Sequence, residues 1–437
     1  MQIFEWILLL LVGAVGLTAL SQRINVPYPS LLAVGGVALA LLPSAPTFQL
    51  DPELTLALFV APVLLDAAFD TSVRDLRVNW IPVTCLVLAA VGVTTVAVAW
   101  TVHALVPEIP WAAAIALGAI VAPPDAAAAS AILKQLHLPH RLRVILEGES
   151  LLNDASALLI YRLAVLAVVS GGFDPGNVLP ISLLAIVAGV LVGYVLARLN
   201  LWLLGSVCDV RSSVVLQFVS TFGVWILAER LGLSAIVTMV VYAITLARDA
   251  PRLVSARQRI PSYAVWDAAV FVLNVLAFVL IGLQLRPILS GLEPQERIGY
   301  LHIAAIVFGI VVLARFVWVF MYYAAAKLKA RLFGPGSWPG SAQLTARGSL
   351  VVGWCGMRGI VTLAAAYALP VSFPYRDLIL LTSFCVVVGT LVAQGLTLRP
   401  LILALQLKDD APVEREVDMA CERVLQTGLA VLDKDES

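Results

Sequence analysis

Residues 119–133 read AIVAPPDAAAASAIL and residues 147–162 read EGESLLNDASALLIYR. Each places a carboxylate deep in an apolar run: Asp125 behind Pro123 and Pro124, and Asp154 behind Asn153. Proline has no backbone N–H, so the carbonyls of Ala119 and Ile120 lose their helical donors. The residue before a proline is also steered out of the α region. A helix break is therefore expected just ahead of Asp125. At membrane depth, broken backbone is tolerated where it lines protein or a wet cavity, and in transporters it presents carbonyls and helix ends to ions. Two readings of Asp125 stand side by side: a cap at the positive end of the resumed helix, or a group facing such a cavity.

The whole chain gives the reason to speak of membrane depth. Of 437 residues, 61% are apolar and only 13% charged, against about 45–50% and 25% in soluble domains. The solvent to expect is lipid. Net charge is zero, so no basic field favours nucleic acid, and no RNA- or DNA-binding motif is present. The five cysteines, 85, 208, 355, 385 and 421, lack metal-site or disulfide spacing and read as free thiols. The opening IFEWILLLLVGAVGLTAL has no basic n-region or small-residue cleavage site, so it reads as a first span.

Charge and Pro/Gly clusters divide the chain into about thirteen apolar stretches, near 3–20, 29–42, 54–70, 81–102, 111–133, 144–170, 178–199, 206–228, 234–247, 264–285, 301–324, 349–370 and 377–406. With that count, 21 of the 28 Lys and Arg residues fall in loops after odd-numbered spans or in the tail, four on the other side and three, Arg162, Arg315 and Arg358, inside spans. Cytoplasmic loops collect cations, so the amino terminus is expected outside and the carboxyl terminus in the cytoplasm of a cell (inner) membrane. Residues 1–407 read as the transmembrane unit and 408–437 as a short acidic cytoplasmic tail.

Depth sorts the buried charges. At 1.5 Å per helical residue, Asp154 lies about 15 Å inside its span, Asp125 about 21 Å inside its own, and Arg358 about 14 Å. Three formal charges from three spans meet in one layer. A charge there costs at least about 2.5–3.5 kcal/mol and marks a partner, a cavity or a function. On a helix Glu149 and Asn153 are four apart, as are Ser150 and Asp154, so oxygen-bearing groups crowd Asp154. Hard cations favour oxygen ligands, which makes Asp154 the leading ligand candidate. Glu147 reads as a first-turn residue at the interface. In GWCGMRGIVTL (353–363) three glycines surround Arg358, marking a close packing face or a second break. Arg358 is permanently charged, and by elimination its partner is expected to be Glu149. Thr362 is available to satisfy freed backbone groups. Asp66 reads as interfacial or structural, Arg162 and Arg315 as pairing with carboxylates or snorkelling, and His103, His137, His140 and His302 as loop or span-end residues.

Together, APPDAAAASAIL, EGESLLND, FVLNVLAFVLIGLQL (271–285) and GWCGMRGIVTLAAAYALP resemble the monovalent cation:proton antiporter family of the NhaP/NHE type, over nearly the whole chain. The resemblance implies an all-α polytopic fold of about thirteen transmembrane helices, with a dimerisation domain, a six-helix ion-carrying core with two crossed, unwound helices, and homodimers. The core helices are expected at about 81–170 and 264–406, interleaved with the dimerisation helices. It also implies that Asp154 is the ion-binding aspartate with Asn153 beside it, Asp125 the second carboxylate, Ser150 a ligand, and Glu149 with Arg358 the structural ion pair. Asp154, Asp125 and Ser150 would then hold the monovalent cation. An inverted repeat fits this topology: spans one to six and eight to thirteen are offset by an odd number, and the broken spans five and twelve are counterparts. In one respect the chain departs from the family pattern. Many members have Thr before the aspartate of the first broken helix and Pro after it, whereas Pro124 and Ala126 flank Asp125 here, so a ligating hydroxyl is missing.

The expected function is secondary active exchange of protons for a monovalent cation, Na+ foremost, by alternating access and one for one. The alternatives are a cation channel or a K+/H+ exchanger with the same acidic layer. The absence of GxxxxGK[ST], HExxH and GxSxG patterns argues against an ATP-driven pump and a membrane enzyme. Expected partners are cation, proton, bilayer and a second copy of the chain, with no cofactor and no nucleic acid.

Overall fold

The computed structural model describes residues 2–43, 51–125, 128, 139–170, 175–207, 209–333, 345–407 and 418–427. The described residues form helices and connecting turns, with no strand among them. The first half contains α1 (Gln2–Ile24), α2 (Tyr28–Ala40), α3 (Pro52–Asp70), the short α4 (Val73–Val78), α5 (Trp80–Leu105), α6 (Trp111–Val121) and α7 (His140–Val169). The second contains α8 (Pro175–Ser206), α9 (Val210–Arg230), α10 (Ala235–Leu253), α11 (Ala256–Ser290), α12 (Pro294–Phe333), α13 (Ala346–Trp354), α14 (Ile360–Tyr367) and α15 (Arg376–Leu405).

Helix occurs in every apolar stretch expected from the sequence. Eight helices (α3, α5, α7, α8, α9, α11, α12 and α15) are long and apolar enough to cross a membrane unaided, and α1, α2 and α6 supply shorter apolar segments. Helix α11 begins eight residues before its expected start, and α12 extends past both ends of 301–324. The chain is thus an all-α, multi-pass membrane protein. Its outward faces agree: on α8, Ile181, Leu184, Val187, Leu191, Val195 and Trp202 are each 57–68% exposed, a surface suited to lipid rather than water. Resumption of helix after Asp125 and His137 lie outside the described residues. So does the tail, except for 418–427, which is helical and exposed.

Local chemistry sets several boundaries. Side chains of Asp51, Asp209, Ser234 and Thr345 accept hydrogen bonds from the first-turn N–H groups of α3, α9, α10 and α13, satisfying donors that a helix start leaves orphaned. Two helices contain π turns, α3 over Leu56–Val60 and α5 over Cys85–Ala90. Such turns re-aim the side chains around them and recur at functional sites.

Packing gathers three cores. Helices α5, α6, α7, α12, α14 and α15 share one, and α3, α8, α9 and α10 another. In the third, α1, α2 and α11 meet α5, α7, α12, α13, α14 and α15. Helix α11, whose residues 264–285 the sequence assigned to the ion-carrying core, packs most extensively along α2 and also touches α1, α3, α9, α14 and α15. The reason is a pair of glycines: a Cβ on Gly282 would meet the backbone of Ala33, Gly36 and Val37, and a Cβ on Gly36 would meet the backbone of Val279 and Gly282. Small residues permit such backbone approach between membrane helices. Replacing Gly282 with Val should therefore push α2 and α11 apart and cost about 1–3 kcal/mol or more. The expected readout is a lower melting temperature in detergent, with Gly299→Val, at a glycine with open space around it, as the neutral control.

Candidate ion site

Two chain segments leave the helical path and meet. Helix α6 stops at Val121, and Ala122 to Asp125 are non-helical, as the paired prolines require. Helix α13 stops at Trp354, residues 355–359 are unwound, and α14 begins at Ile360. The Asp125 N–H donates to the Met357 carbonyl at 2.7 Å, so the two breaks bond directly to each other. Gly359 makes the contact possible: a Cβ there would fall on the Asp125 carboxyl group. That carboxyl consequently packs at the N-terminal end of α14, where the helix dipole favours negative charge.

Each broken helix leaves carbonyls without intrahelical donors, and two arginines and an asparagine supply them. The Arg358 Nε–H donates to the Val121 carbonyl at 2.7 Å, and its guanidinium also bonds the carbonyl of Gly356. The backbone N–H of Arg358 donates to Thr390 Oγ1 at 3.0 Å. Asn153 Nδ2 donates to the Pro124 carbonyl at 2.7 Å. Arg315, from α12, caps the other break, donating from Nε to Val352 at 3.1 Å and from Nη2 to Cys355 at 3.4 Å. Each break thus has a guanidinium at the carbonyl end of its first half-helix.

The structural ion pair differs from the sequence expectation. Glu149 is held by Arg315, not by Arg358: Arg315 Nη1 lies 2.5 Å from Oε1 and Nη2 2.8 Å from Oε2. This bidentate fork is the strongest arginine–carboxylate geometry. Both side chains are buried, Glu149 at 1% and Arg315 at 3% exposure. Arg358, at 1%, turns to backbone carbonyls because the two breaks cross beside it. Glu147, by contrast, pairs with Arg143 at 2.7 Å one helical turn away, in line with its reading as an interfacial residue.

Asp125, Ser150 and Asp154 line one side of a cavity of about 30 Å³, enough for a water or a dehydrated ion, since a water needs about 10–15 Å³ on the same measure. Ile360 and Val361 of α14 complete that side. The cavity is also lined by Phe59, Val60, Val63 and Leu64 of α3 and by Asn274, Ala277 and Phe278 of α11. Asp154 is 9% exposed and Asn153 fully buried, its Oδ1 without a hydrogen-bond partner. With all groups ionised, Asp125, Glu149 and Asp154 against Arg315 and Arg358 leave the crossing with a formal charge of −1. Asp125, Ser150 and Asp154 thus share one cavity with Asn153 bonded beside it, whereas Glu149 is paired with Arg315. The structure adds Thr390, Asn274, the π turn at Phe59 and Val60, and Arg315 as the partner of Glu149. An amide in the middle of the apolar run 271–285 was a readable signal for Asn274, whereas nothing local marked the π turn.

Interrupted helices crossing at membrane depth recur in membrane transporter folds. The chain belongs to the transmembrane sodium/hydrogen exchanger family, which it matches over residues 7–404. It is 30% identical over 461 residues to a sodium, potassium, lithium and rubidium/H+ antiporter of Bacillus pumilus, covering 99% of this chain and 66% of that protein. A Bacillus subtilis antiporter of the same description is 32% identical over 420 residues, covering 90% of this chain and 60% of that protein. The chain therefore spans less than two thirds of the length of both. The low-affinity Na+/H+ antiporter NhaS1 of Synechocystis is 31% identical, covering 98% of this chain and 80% of that protein. The fold matches the sodium proton antiporter MjNhaP1 of Methanocaldococcus jannaschii at pH 8 with a TM-score of 0.68 and 18% identity, over 92% of this chain and 98% of that one.

Proposed function

We propose that the chain exchanges protons for a monovalent cation, Na+ foremost, by alternating access. The observation that carries this is the formal charge of −1 beside a cavity sized for one small ligand: one cation or one proton neutralises it, and neither leaves it costly. Asp154 is the exchanging group, with Asp125 and Ser150 as further oxygen ligands on the same side and Asn153 holding the Pro124 carbonyl. Glu149 is neutralised by Arg315 and takes no part in the exchange. An empty, ionised site is disfavoured while it crosses the membrane, so transit requires an occupant and exchange is obligatory. The relatives, which are cation/H+ antiporters, support the same chemistry.

In this proposal the chain is a carrier without a resident cofactor, working as a homodimer in the cell (inner) membrane. Residues 1–407 form the antiporter unit. The cation-rich loops and the 408–437 tail face the cytoplasm, with the amino terminus outside. Helices α5, α6, α7, α12, α13, α14 and α15 move as the ion-carrying core against α1–α3 and α8–α11.

One charge deficit implies one proton per cation and no net charge movement. An exchanger moving one net charge would gain about 2.3 kcal/mol per 100 mV, more than a tenfold shift in its balance point. In proteoliposomes with opposed Na+ and proton gradients, flux should reverse where the two concentration ratios are equal, with or without an imposed potential. Repeating the assay with K+ and Li+ orders the cations. A channel would instead give cation currents that follow voltage without proton movement.

A further inference from the structure

Besides Asp125, Ser150 and Asp154, the cavity is lined by apolar residues, among them Phe59, Val60, Val63, Leu64, Ala277 and Phe278, and by one further polar residue, Asn274. Asn274 lies three and four residues before Ala277 and Phe278, which places all three on one face of α11. Its amide makes no hydrogen bond to another described residue. Asn274 is half-buried, so the partner available to it is whatever occupies the cavity. The carboxylates lining the same cavity need a donor or a cation, and an amide can serve both states: Oδ1 as a cation ligand, Nδ2 as a donor to a carboxyl oxygen.

We infer that Asn274 is a ligand contributed by α11 to the cavity, and that its carbonyl oxygen sets the affinity for the transported cation and the discrimination among Na+, Li+ and K+. The inference rests on the exchange site proposed above. Helix α11 packs most extensively along α2, whereas Asp125 follows α6 and Ser150 and Asp154 belong to α7, so this ligand comes from a different helix. Its oxygen reaches the ion within the cavity that these residues line together. An uncharged ligand adds coordination without altering the charge count, so it changes how tightly and how selectively the site binds, not how many protons are exchanged.

The test is cation-driven proton flux in proteoliposomes for the wild type, Asn274→Leu, Asn274→Ser and Asp154→Asn, each with Na+, Li+ and K+. Leucine keeps the volume without the dipole, and serine keeps a short oxygen should leucine impair folding. The apparent KM should rise about ten- to a hundredfold, the range of one dipole acting on a charge. It should rise unequally among the three cations, while the rate at saturating cation and the one-for-one coupling persist. Unchanged KM values and cation order in both Asn274 variants, with Asp154→Asn inactive, would overturn the inference and leave the site intact. Full exchange by Asp154→Asn would overturn the site itself.

Discussion

Truncating either Arg315 or Glu149 to Ala should cost about 3–5 kcal/mol of stability, because the surviving partner is left as an uncompensated buried charge. Low yield and a sharply lower melting temperature in detergent are the expected signs. The pair is fully desolvated, bidentate, and tied by Arg315 to the carbonyls of Val352 and Cys355, so its loss also unties the broken end of α13. Removing both charges should hurt much less than the sum of the two single changes. The matching cycle between Glu149 and Arg358 should be closer to additive, because Arg358 is engaged with the carbonyls of Val121 and Gly356. Strong coupling in the second cycle and additivity in the first would reinstate the pairing expected from the sequence.

The second large effect is functional. Asp154→Asn should insert and fold as well as the parent or better, since a buried carboxyl is exchanged for a neutral amide of the same shape. It should lose cation-driven proton movement altogether. The substitution takes the formal charge of the crossing from −1 to zero, leaving nothing for a cation to balance and no proton to release. Asp154→Glu keeps the charge on a longer arm in a cavity of about 30 Å³, so weak residual exchange with altered cation preference is expected.

Much of this was legible because prolines and charges announce themselves in apolar sequence. Pro123 and Pro124 dictate the first break by chemistry, and the glycines around Arg358 admit the second. Counting residues from the span ends places Asp125, Asp154 and Arg358 in one layer. That arithmetic yields one coordinate, depth along the membrane normal. It says nothing of position within the plane, which depends on which helices adjoin. The partner of Glu149 was therefore assigned to the wrong arginine of two at similar depth, since only the packing of α12 beside α13 brings Arg315 to it. The same missing coordinate left the role of Asn274 open, because that role depends on α11 reaching the cavity that α7 lines, and it concealed the close approach of Gly36 and Gly282 that holds α11 on α2. The π turn that presents Phe59 and Val60 had no local signal, because a π turn arises where packing favours it over the ordinary helical bond.

The central claim, that one cation and one proton compete for Asp154, is most directly tested by proton release from the purified protein. Na+ added to unbuffered, detergent-solubilised protein near neutral pH, with a pH indicator present, should release protons saturably. At saturation the protons released should not exceed one per chain and should match the Na+ bound. The Asp154→Asn protein should release none and bind no Na+. Saturable Na+ binding without proton release in the wild type, or undiminished release in Asp154→Asn, would contradict the account.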